Sequence, residues 1–398
     1  MKRDRTNLIL ITILQVVGLS LFSRGFFFVR KEEKQYTIEH LSQLTPHKLS
    51  RLVLMVIDGL RYDYAREFLK QTQKFSNGTL FFESYADPPT VTLQRLKSIS
   101  TGSYPVFIEV SSNFDEKHSL KIDNLIHSFH SKGKIGFTGD DTWLALFNDE
   151  FDTAIPGPTF DVRDIDGSDN ILKQNFPFLL KSPNYSVVIG HFLGVDHSGH
   201  VNGFTSEAVQ EKIGEIDNFI AQQMENLNDD DLFLLISDHG MTDGGAHGGC
   251  SYSETSSFAF AYSKNIKFNQ TKTKINQIDL CPTLALLFGL PIPFTNAGLI
   301  IDDFFSPENQ SSALDMNRKQ IQRLLENEGL LTQNVLEEGP QLLKAKWSTF
   351  SPLRMTLGIC FISLSFVFLP RPKSIFPILH GISQFSDSYV FAENLVVN

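Results

Sequence analysis

Apolar runs that stop at an acid or a histidine recur along this chain. "RLVLMVIDG" ends in Asp58, "KIGFTGDD" in Asp140 and Asp141, "YSVVIGHFLGVD" in Asp196, and "LFLLISDH" in Asp238 and His239. Short unbroken runs of this kind predict strands buried on both faces. Between them, "SEAVQEKIGEIDNFIAQQMENL" repeats apolar positions at helical intervals, which predicts a helix with one buried stripe. The alternation predicts an α/β fold. In open parallel sheets ligands bind beyond the carboxyl ends of the strands, where these acids and imidazoles fall.

The two ends of the chain follow another pattern. "MKRDR" precedes an apolar stretch from Asn7 to Phe22, extended by Phe26 to Val29 beyond Ser23 and Arg24. "LFSRGFFF" after it is a poor small-residue cleavage site, so the segment reads as an uncleaved signal anchor. Its basic leader stays in the cytosol and sends the downstream chain across the membrane. A second apolar stretch, Met355 to Leu369, lies between Arg354 and "PRPK". It is shorter than a usual span of about 20 residues, and its basic far flank suits a return to the cytosol. Before it, Asn317 to Glu338 carries Ile321, Leu324, Leu325 and Leu331 at amphipathic helical spacing. The pattern divides the chain into a leader and anchor helix over 1–30, a globular domain over 31–310, a helical connector over 311–352, a second apolar helix over 353–370 and a weakly structured tail over 371–398.

Composition narrows the function classes. With 398 residues, 41% hydrophobic and 20% charged, the chain can bury one large core or two modest ones. The net charge of -10, with no extended basic run, argues against a nucleic-acid partner held by phosphate contacts. Cys250, Cys281 and Cys360 form no CxxC pair; one bridge, Cys250 to Cys281, is open, and buried thiols are the simpler reading. Asn-x-Ser/Thr triplets at Asn77, Asn184, Asn269 and Asn309 suit a lumenal domain.

The polar residues suggest a metal centre. "VDHSGHVNG" offers Asp196 and His200 in one loop with His197 between them, and "SDHGMTDGGAHGG" offers Asp238, His239 and His247 among glycines. Zinc-like ions take His nitrogen and Asp oxygen, and two neighbouring ions need about six or seven such donors. Asp58, Asp196, His200, Asp238, His239 and His247 make six. "DPPTVTLQRLKSISTG" places Thr90 and Thr92 before a helix striped by Leu93, Leu96 and Ile99 and closed by Gly102. A hydroxyl there meets free backbone N–H groups that steady a phosphoryl anion, and a metal would lower its pKa. Taken singly, Thr92 is an N-cap and each donor a solvated loop residue; taken together they point to metal-assisted phosphoryl chemistry.

Asp58 after a strand, "PTVT" opening a helix, "TGSYP" after it, "DHSGH", "DHGM" and "HGG" together resemble the alkaline-phosphatase-type phosphotransferases and phosphodiesterases. Within that group, "DPPTVTLQRLKSISTG", "VSSNF", "GDDTW", "HFLGVDHSGH" and "SDHGMTDGGAHGG" resemble the GPI ethanolamine phosphate transferases, in particular the branch that modifies the third mannose. The likeness runs from about Leu52 to Leu290 in the same order. It implies an alkaline-phosphatase-like, mostly parallel central sheet with helices on both faces, beside the membrane anchor helix. It implies two divalent ions, zinc or else manganese, one held by Asp58, Thr92, Asp238 and His239 and the other by Asp196, His200 and His247. By the spacing to "TGSYP" the nucleophile is Thr92 rather than Thr90. Asn113 falls where related phosphodiesterases keep an amide donor, Asp140 and Asp141 would bind the ethanolamine ammonium, and His197 would orient Asp196 or a substrate.

The reaction so implied moves phosphoethanolamine from phosphatidylethanolamine to Thr92 and then to a mannose 6-hydroxyl of the GPI precursor. The setting implied is the lumenal face of the endoplasmic reticulum membrane, with a small membrane partner subunit. The resembled family continues into many membrane spans, whereas this chain offers one short span before Asn398, which suggests a truncated product, splice form or incomplete gene reading. The alternative readings are a metal-dependent phosphodiesterase or nucleotide pyrophosphatase, and an inactive truncated form acting as a binding partner.

Overall fold

β1 (Arg51–Ile57) is buried along its whole length. Leu52, Leu54 and Val56 face one apolar core, and Val53, Met55 and Ile57 face another. A strand apolar on both faces is stable only where both faces are covered, as in the centre of a helix-flanked sheet. The computed structural model describes residues 2–26, 49–76, 78–105, 122–159, 161–347 and 351–367. It places β1 inside one eight-stranded sheet. The other strands are β2 (Leu80–Tyr85), β3 (Lys134–Asp140), β4 (Thr153–Gly157), β5 (Tyr185–Phe192), β6 (Asp231–Ile236), β7 (Ser256–Tyr262) and β8 (Lys274–Asn276).

Their spatial order is β4-β3-β5-β1-β6-β7-β2-β8. The block from β4 to β6 is parallel throughout. Among the described strands β7 is the one that runs antiparallel to both neighbours. The register sets Ile57 beside Phe192, Val56 beside Ile236 and Gly139 beside His191. The carboxyl ends of β3, β5, β1 and β6 therefore form one continuous edge.

Helices cover both faces. Thr92–Thr101, Leu125–Phe129, Thr142–Phe147 and Leu280–Leu287 bring Leu96, Ile99, Phe129, Trp143 and Leu284 into one core. Gly167–Lys181 and Glu207–Glu225 bring Leu172, Phe176, Ile213, Ile216 and Ile220 into the other. The Glu207–Glu225 helix starts where Ser206 accepts a hydrogen bond from the Val209 N–H, an N-cap that satisfies one orphan donor. Each fully buried large aliphatic or aromatic side chain contributes roughly 1.5–3 kcal/mol of transfer free energy.

The amphipathic stretch read as one helix from Asn317 to Glu338 is divided. Pro307–Asn327 and Val335–Trp347 are separate helices. Gly329, at φ +67°, ends the first, and the Leu330 N–H donates to the Leu325 carbonyl. Ile321, Leu324, Leu343 and Trp347 pack with Ile278 and Phe294, so both helices lie against the α/β body. Lys344 pairs with Asp87, tying the second helix to the loop that leads to Thr92. Asn309 is buried in the first helix, which closes its triplet to a glycan in the folded chain; Asn184 and Asn269 are exposed, and Asn77 lies outside the described residues. Cys250, Cys281 and Cys360 are free thiols, and Cys281 is the buried one.

Lys2–Phe26 and Pro352–Val367 are apolar helices packed side by side and antiparallel. A Cβ on Gly18 would lie 2.8 Å from the Gly358 carbonyl oxygen, and one on Gly358 2.6 Å from that of Gly18. Only glycine permits this approach of two backbones, a packing mode common between membrane helices. Ile9, Ile13, Val16, Leu19, Leu353 and Ile359 point outward and exposed. Ile9–Phe26 is long and apolar enough to cross a membrane. The Pro352–Val367 helix has 16 residues, which gives about 24 Å at the α-helical rise, short of the ~30 Å hydrocarbon thickness.

Leu234 of β6 is fully buried among the core residues of the first face. Leu234→Ala is expected to cost about 2–5 kcal/mol, read as a lower denaturation midpoint by intrinsic fluorescence, whereas Leu234→Met should cost less than about 1.5 kcal/mol.

Candidate metal centre

Strand order gathers the polar residues. Asp58 follows β1, Asp238 and His239 follow β6, and β5 leads into the helix Gly194–Asn202, which carries Asp196 and His200. The stretch around "DHSGH" is therefore helical rather than the loop expected from its glycine and polar content. Spacing of four residues sets Asp196 and His200 on one face, with His200 Nε2 3.2 Å from Asp196 Oδ2. The glycine-rich loop then folds back onto this helix. Gly245, at φ +82°, sits so close that a Cβ would lie 2.0 Å from the Gly199 carbonyl oxygen. That approach delivers His247 to His200, their Nε2 atoms 3.2 Å apart.

Two donor groups abut. In the first, Thr92 Oγ1 lies 3.3 Å from Asp58 Oδ2 and 3.4 Å from His239 Nε2. His239 Nε2 is 3.4 Å from Asp58 Oδ1 and 3.2 Å from Asp238 Oδ2. In the second, His247 Nε2 is 3.5 Å from Asp196 Oδ1. The His239 and His247 rings stack at 4.1 Å between centroids, joining the groups. Asp58, Asp238 and His239 are wholly buried, while Thr92 and His200 are half-buried, so the centre opens on their side.

The backbone fixes the tautomers. His239 Nδ1 lies 3.0 Å from the Gly240 carbonyl, and His247 Nδ1 2.9 Å from the Thr90 carbonyl. A carbonyl only accepts, so each Nδ1 carries the proton and each Nε2 presents a lone pair to the centre. Asp196 Oδ1 and Asp238 Oδ2 are buried and receive no hydrogen bond. Burial pushes the Asp238 carboxyl above the ordinary carboxylate range, partly opposed by His191 and the Gly59 N–H. Burial acts the same way on Asp196; only positive charge beside it, from protonated His200 and His247 or from a bound cation, would hold that carboxyl below the usual range. Buried carboxylates and bare imidazole nitrogens facing one another need a cation between them. The sets Asp58, Asp238, His239 and Asp196, His239, His247 each bring one ligand atom per residue within 4.8 Å of the others, a spacing and chemistry that fit divalent metal.

The remaining candidates separate by orientation. Thr90 Oγ1 donates to the Gly249 carbonyl and accepts from the Gly248 N–H, both at 2.9 Å, so this hydroxyl clasps the loop and that of Thr92 faces the centre. Asp140 is buried, its Oδ1 accepting at 3.0 Å from both the N–H and the hydroxyl of Thr142; burial raises its pKa to about 7. Asp141 is half-buried and accepts from Thr159 Oγ1 at 2.5 Å. His197 is buried with Nδ1 3.1 Å from the Asp164 carbonyl. Asn113 lies outside the described residues. One neighbour of the centre was not singled out from the sequence: His191 in β5, whose Nε2 is 3.3 Å from Asp58 Oδ2. Its signal is an imidazole inside an otherwise apolar strand.

A solved 2-O GAG sulfatase superposes with TM-score 0.50 and 13% identity, covering 64% of this chain and 73% of its own. A protein in the alkaline phosphatase superfamily from Vibrio parahaemolyticus aligns with TM-score 0.47 and 15% identity over 73% of this chain and 77% of its own. The family described as type I phosphodiesterase / nucleotide pyrophosphatase matches residues 123–251. The architecture is alkaline-phosphatase-like: a mostly parallel sheet with helices on both faces and a metal-type centre at its carboxyl edge. Relatives at the sequence level narrow this further. GPI ethanolamine phosphate transferase 3, catalytic subunit, of Homo sapiens is 36% identical over 82% of this chain and 34% of its own length. GPI ethanolamine phosphate transferase 3 of Saccharomyces cerevisiae is 36% identical over 74% of this chain and 32% of its own, and that of Schizosaccharomyces pombe 31% over 92% and 46%. The chain is a homologue of the GPI ethanolamine phosphate transferases, and it spans 32% to 46% of the length of these relatives.

Because Thr90 holds the loop that carries His247, Thr90→Val should lower metal affinity about tenfold while leaving the Thr92 hydroxyl in place. Chelator competition on the purified chain measures this; unchanged affinity would contradict the clasp.

Proposed function

We propose that this chain is a phosphoethanolamine transferase domain that works through Thr92. Phosphoethanolamine passes from phosphatidylethanolamine to the Thr92 oxygen and then to a mannose 6-hydroxyl, that of the third mannose, of the GPI precursor. The observation that carries the reading is the Thr92 hydroxyl, 3.3 Å from Asp58 and 3.4 Å from His239 at the first turn of a helix, in a homologue of these transferases. Two divalent ions, zinc or manganese, would be held by Asp58, Asp238, His239 and Thr92 and by Asp196, His200 and His247. Bound there, they would supply Lewis-acid stabilisation of the attacking and departing oxygens.

The chain's own groups do the rest. Asp58 Oδ2 accepts the hydrogen bond of the Thr92 hydroxyl and aims its oxygen at phosphorus. As the Oγ–P bond forms, the P–O bond to glycerol breaks, and the Thr92 proton passes by way of Asp58 to the oxygen of the departing diacylglycerol. The mannose oxygen then attacks phosphorus, the P–Oγ bond breaks, and the proton of the mannose hydroxyl passes to the Thr92 oxygen. Backbone N–H groups in the first helical turn, lacking intrahelical acceptors, face the phosphoryl oxygens, with the Asn113 amide as a further donor. Asp141, half-buried beside Thr159, takes the ethanolamine ammonium, and buried Asp140 backs it. His197, locked on the Asp164 carbonyl, steadies Asp196 from the next position.

The setting rests on the two apolar helices. An antiparallel pair that spans the endoplasmic reticulum membrane leaves both ends cytosolic and the α/β domain lumenal, near lipid substrates, with room for a small membrane partner subunit. The match of residues 123–251 to phosphodiesterases supports a second reading, hydrolysis with water as acceptor.

Given phosphatidylethanolamine labelled in its head group, the purified chain should trap label on Thr92, and a mannoside should discharge it faster than water does. Thr92→Ala should lose transfer by about 10³-fold or more. Wild-type chain without label on Thr92, or an active Thr92→Ala, would contradict the proposal; discharge to water alone would favour the phosphodiesterase.

A further inference from the structure

His191 is a buried imidazole with three chemically competent neighbours. Trp143 Nε1 lies 2.9 Å from its Nδ1, Asp140 Oδ2 3.7 Å from the same nitrogen, and Asp58 Oδ2 3.3 Å from its Nε2. By residue type, Asp58, Asp140 and His191 form a third candidate ion site, with ligand atoms within 4.8 Å of one another.

Trp143 decides between the roles. An indole N–H can only donate, so His191 Nδ1 must accept, and the proton of the neutral ring sits on Nε2. A protonated Nε2 cannot ligate metal. It is buried without a hydrogen-bond partner of ordinary geometry, and the group it faces is the oxygen of Asp58 that also contacts Thr92. Asp140 does not compete for Nδ1, because its Oδ2 is farther than the indole and its Oδ1 is taken up by Thr142. We propose that Trp143 and His191 are a positioning pair that fixes the Asp58 carboxylate toward Thr92, and that Trp143 keeps His191 from acting as a metal ligand. This rests on the metal centre proposed above.

The test uses the full purified chain in detergent, loaded with zinc, with zinc content, chelator competition and label transfer to Thr92 as readouts. His191→Leu removes the donor and is expected to weaken zinc affinity about tenfold or more and to slow transfer. His191→Gln, whose amide N–H replaces the donor, should recover most of both losses. Trp143→Phe frees Nδ1 to take the proton toward Asp140, exposes the Nε2 lone pair and should raise the zinc content by one equivalent per chain. A thermal midpoint within a few degrees of wild type identifies the variants that fold. The pair is overturned if His191→Leu binds zinc like wild type, if His191→Gln is as damaged as His191→Leu, or if Trp143→Phe keeps wild-type zinc content. Three equivalents on the wild-type chain would make His191 a ligand instead. A wild-type chain that binds no zinc would overturn the metal centre itself, a result distinct from all of these.

Discussion

Negative charge held out of water is the constraint around which this molecule is organised. Asp58, Asp196 and Asp238 are nearly or wholly buried within one small volume. Each such carboxylate costs roughly several kcal/mol to desolvate unless it is countered. The protein sets neutral imidazoles, not counter-charge, beside them. It then turns the bare Nε2 atoms of His239 and His247 inward by tying their Nδ1 protons to backbone carbonyls. Lone pairs and carboxylate oxygens thus face one another, an arrangement that is unfavourable alone and favourable around cations.

The rest of the fold serves to hold that arrangement rigid. Asp58 and Asp238 leave adjacent parallel strands, and the Gly59 N–H reaches Asp238 Oδ1 at 3.2 Å, so backbone geometry fixes their separation. Asp196 and His200 are set by one turn of helix. His247 comes on a loop pressed against that helix where a glycine leaves no side chain in the way. Two apolar cores clamp the strands from both faces, so the centre inherits the rigidity of the sheet.

Much of this was legible in the sequence because parallel strands buried on both faces leave unbroken apolar runs. The runs ending at Asp58, Asp140 and Asp238 correspond to β1, β3 and β6, and the acids after them mark the carboxyl edge. β2, with Glu83 and Ser84 inside it, and the three-residue β8 carry no such run. "DHSGH" looked like a loop because its glycine and polar residues mask helical spacing. The spacing to "TGSYP" points to Thr92 through the family resemblance, but the clasp that turns the Thr90 hydroxyl onto Gly248 and Gly249 is visible only in the structure. His191 left no motif, because its partners Trp143, Asp58 and Asp140 are distant in sequence and meet only through strand pairing.

The helix pair at the chain ends gives the centre its setting. Close contact of Gly18 with Gly358 makes the pair one unit, and Lys344 on the adjoining helix bonds to Asp87, a few residues before Thr92. The most direct measurement is anomalous scattering at the zinc edge from crystals of the metal-loaded chain. Two peaks are predicted, one among Asp58, Thr92, Asp238 and His239 and the other among Asp196, His200 and His247. No peak within reach of Thr92 would contradict the metal-assisted reading.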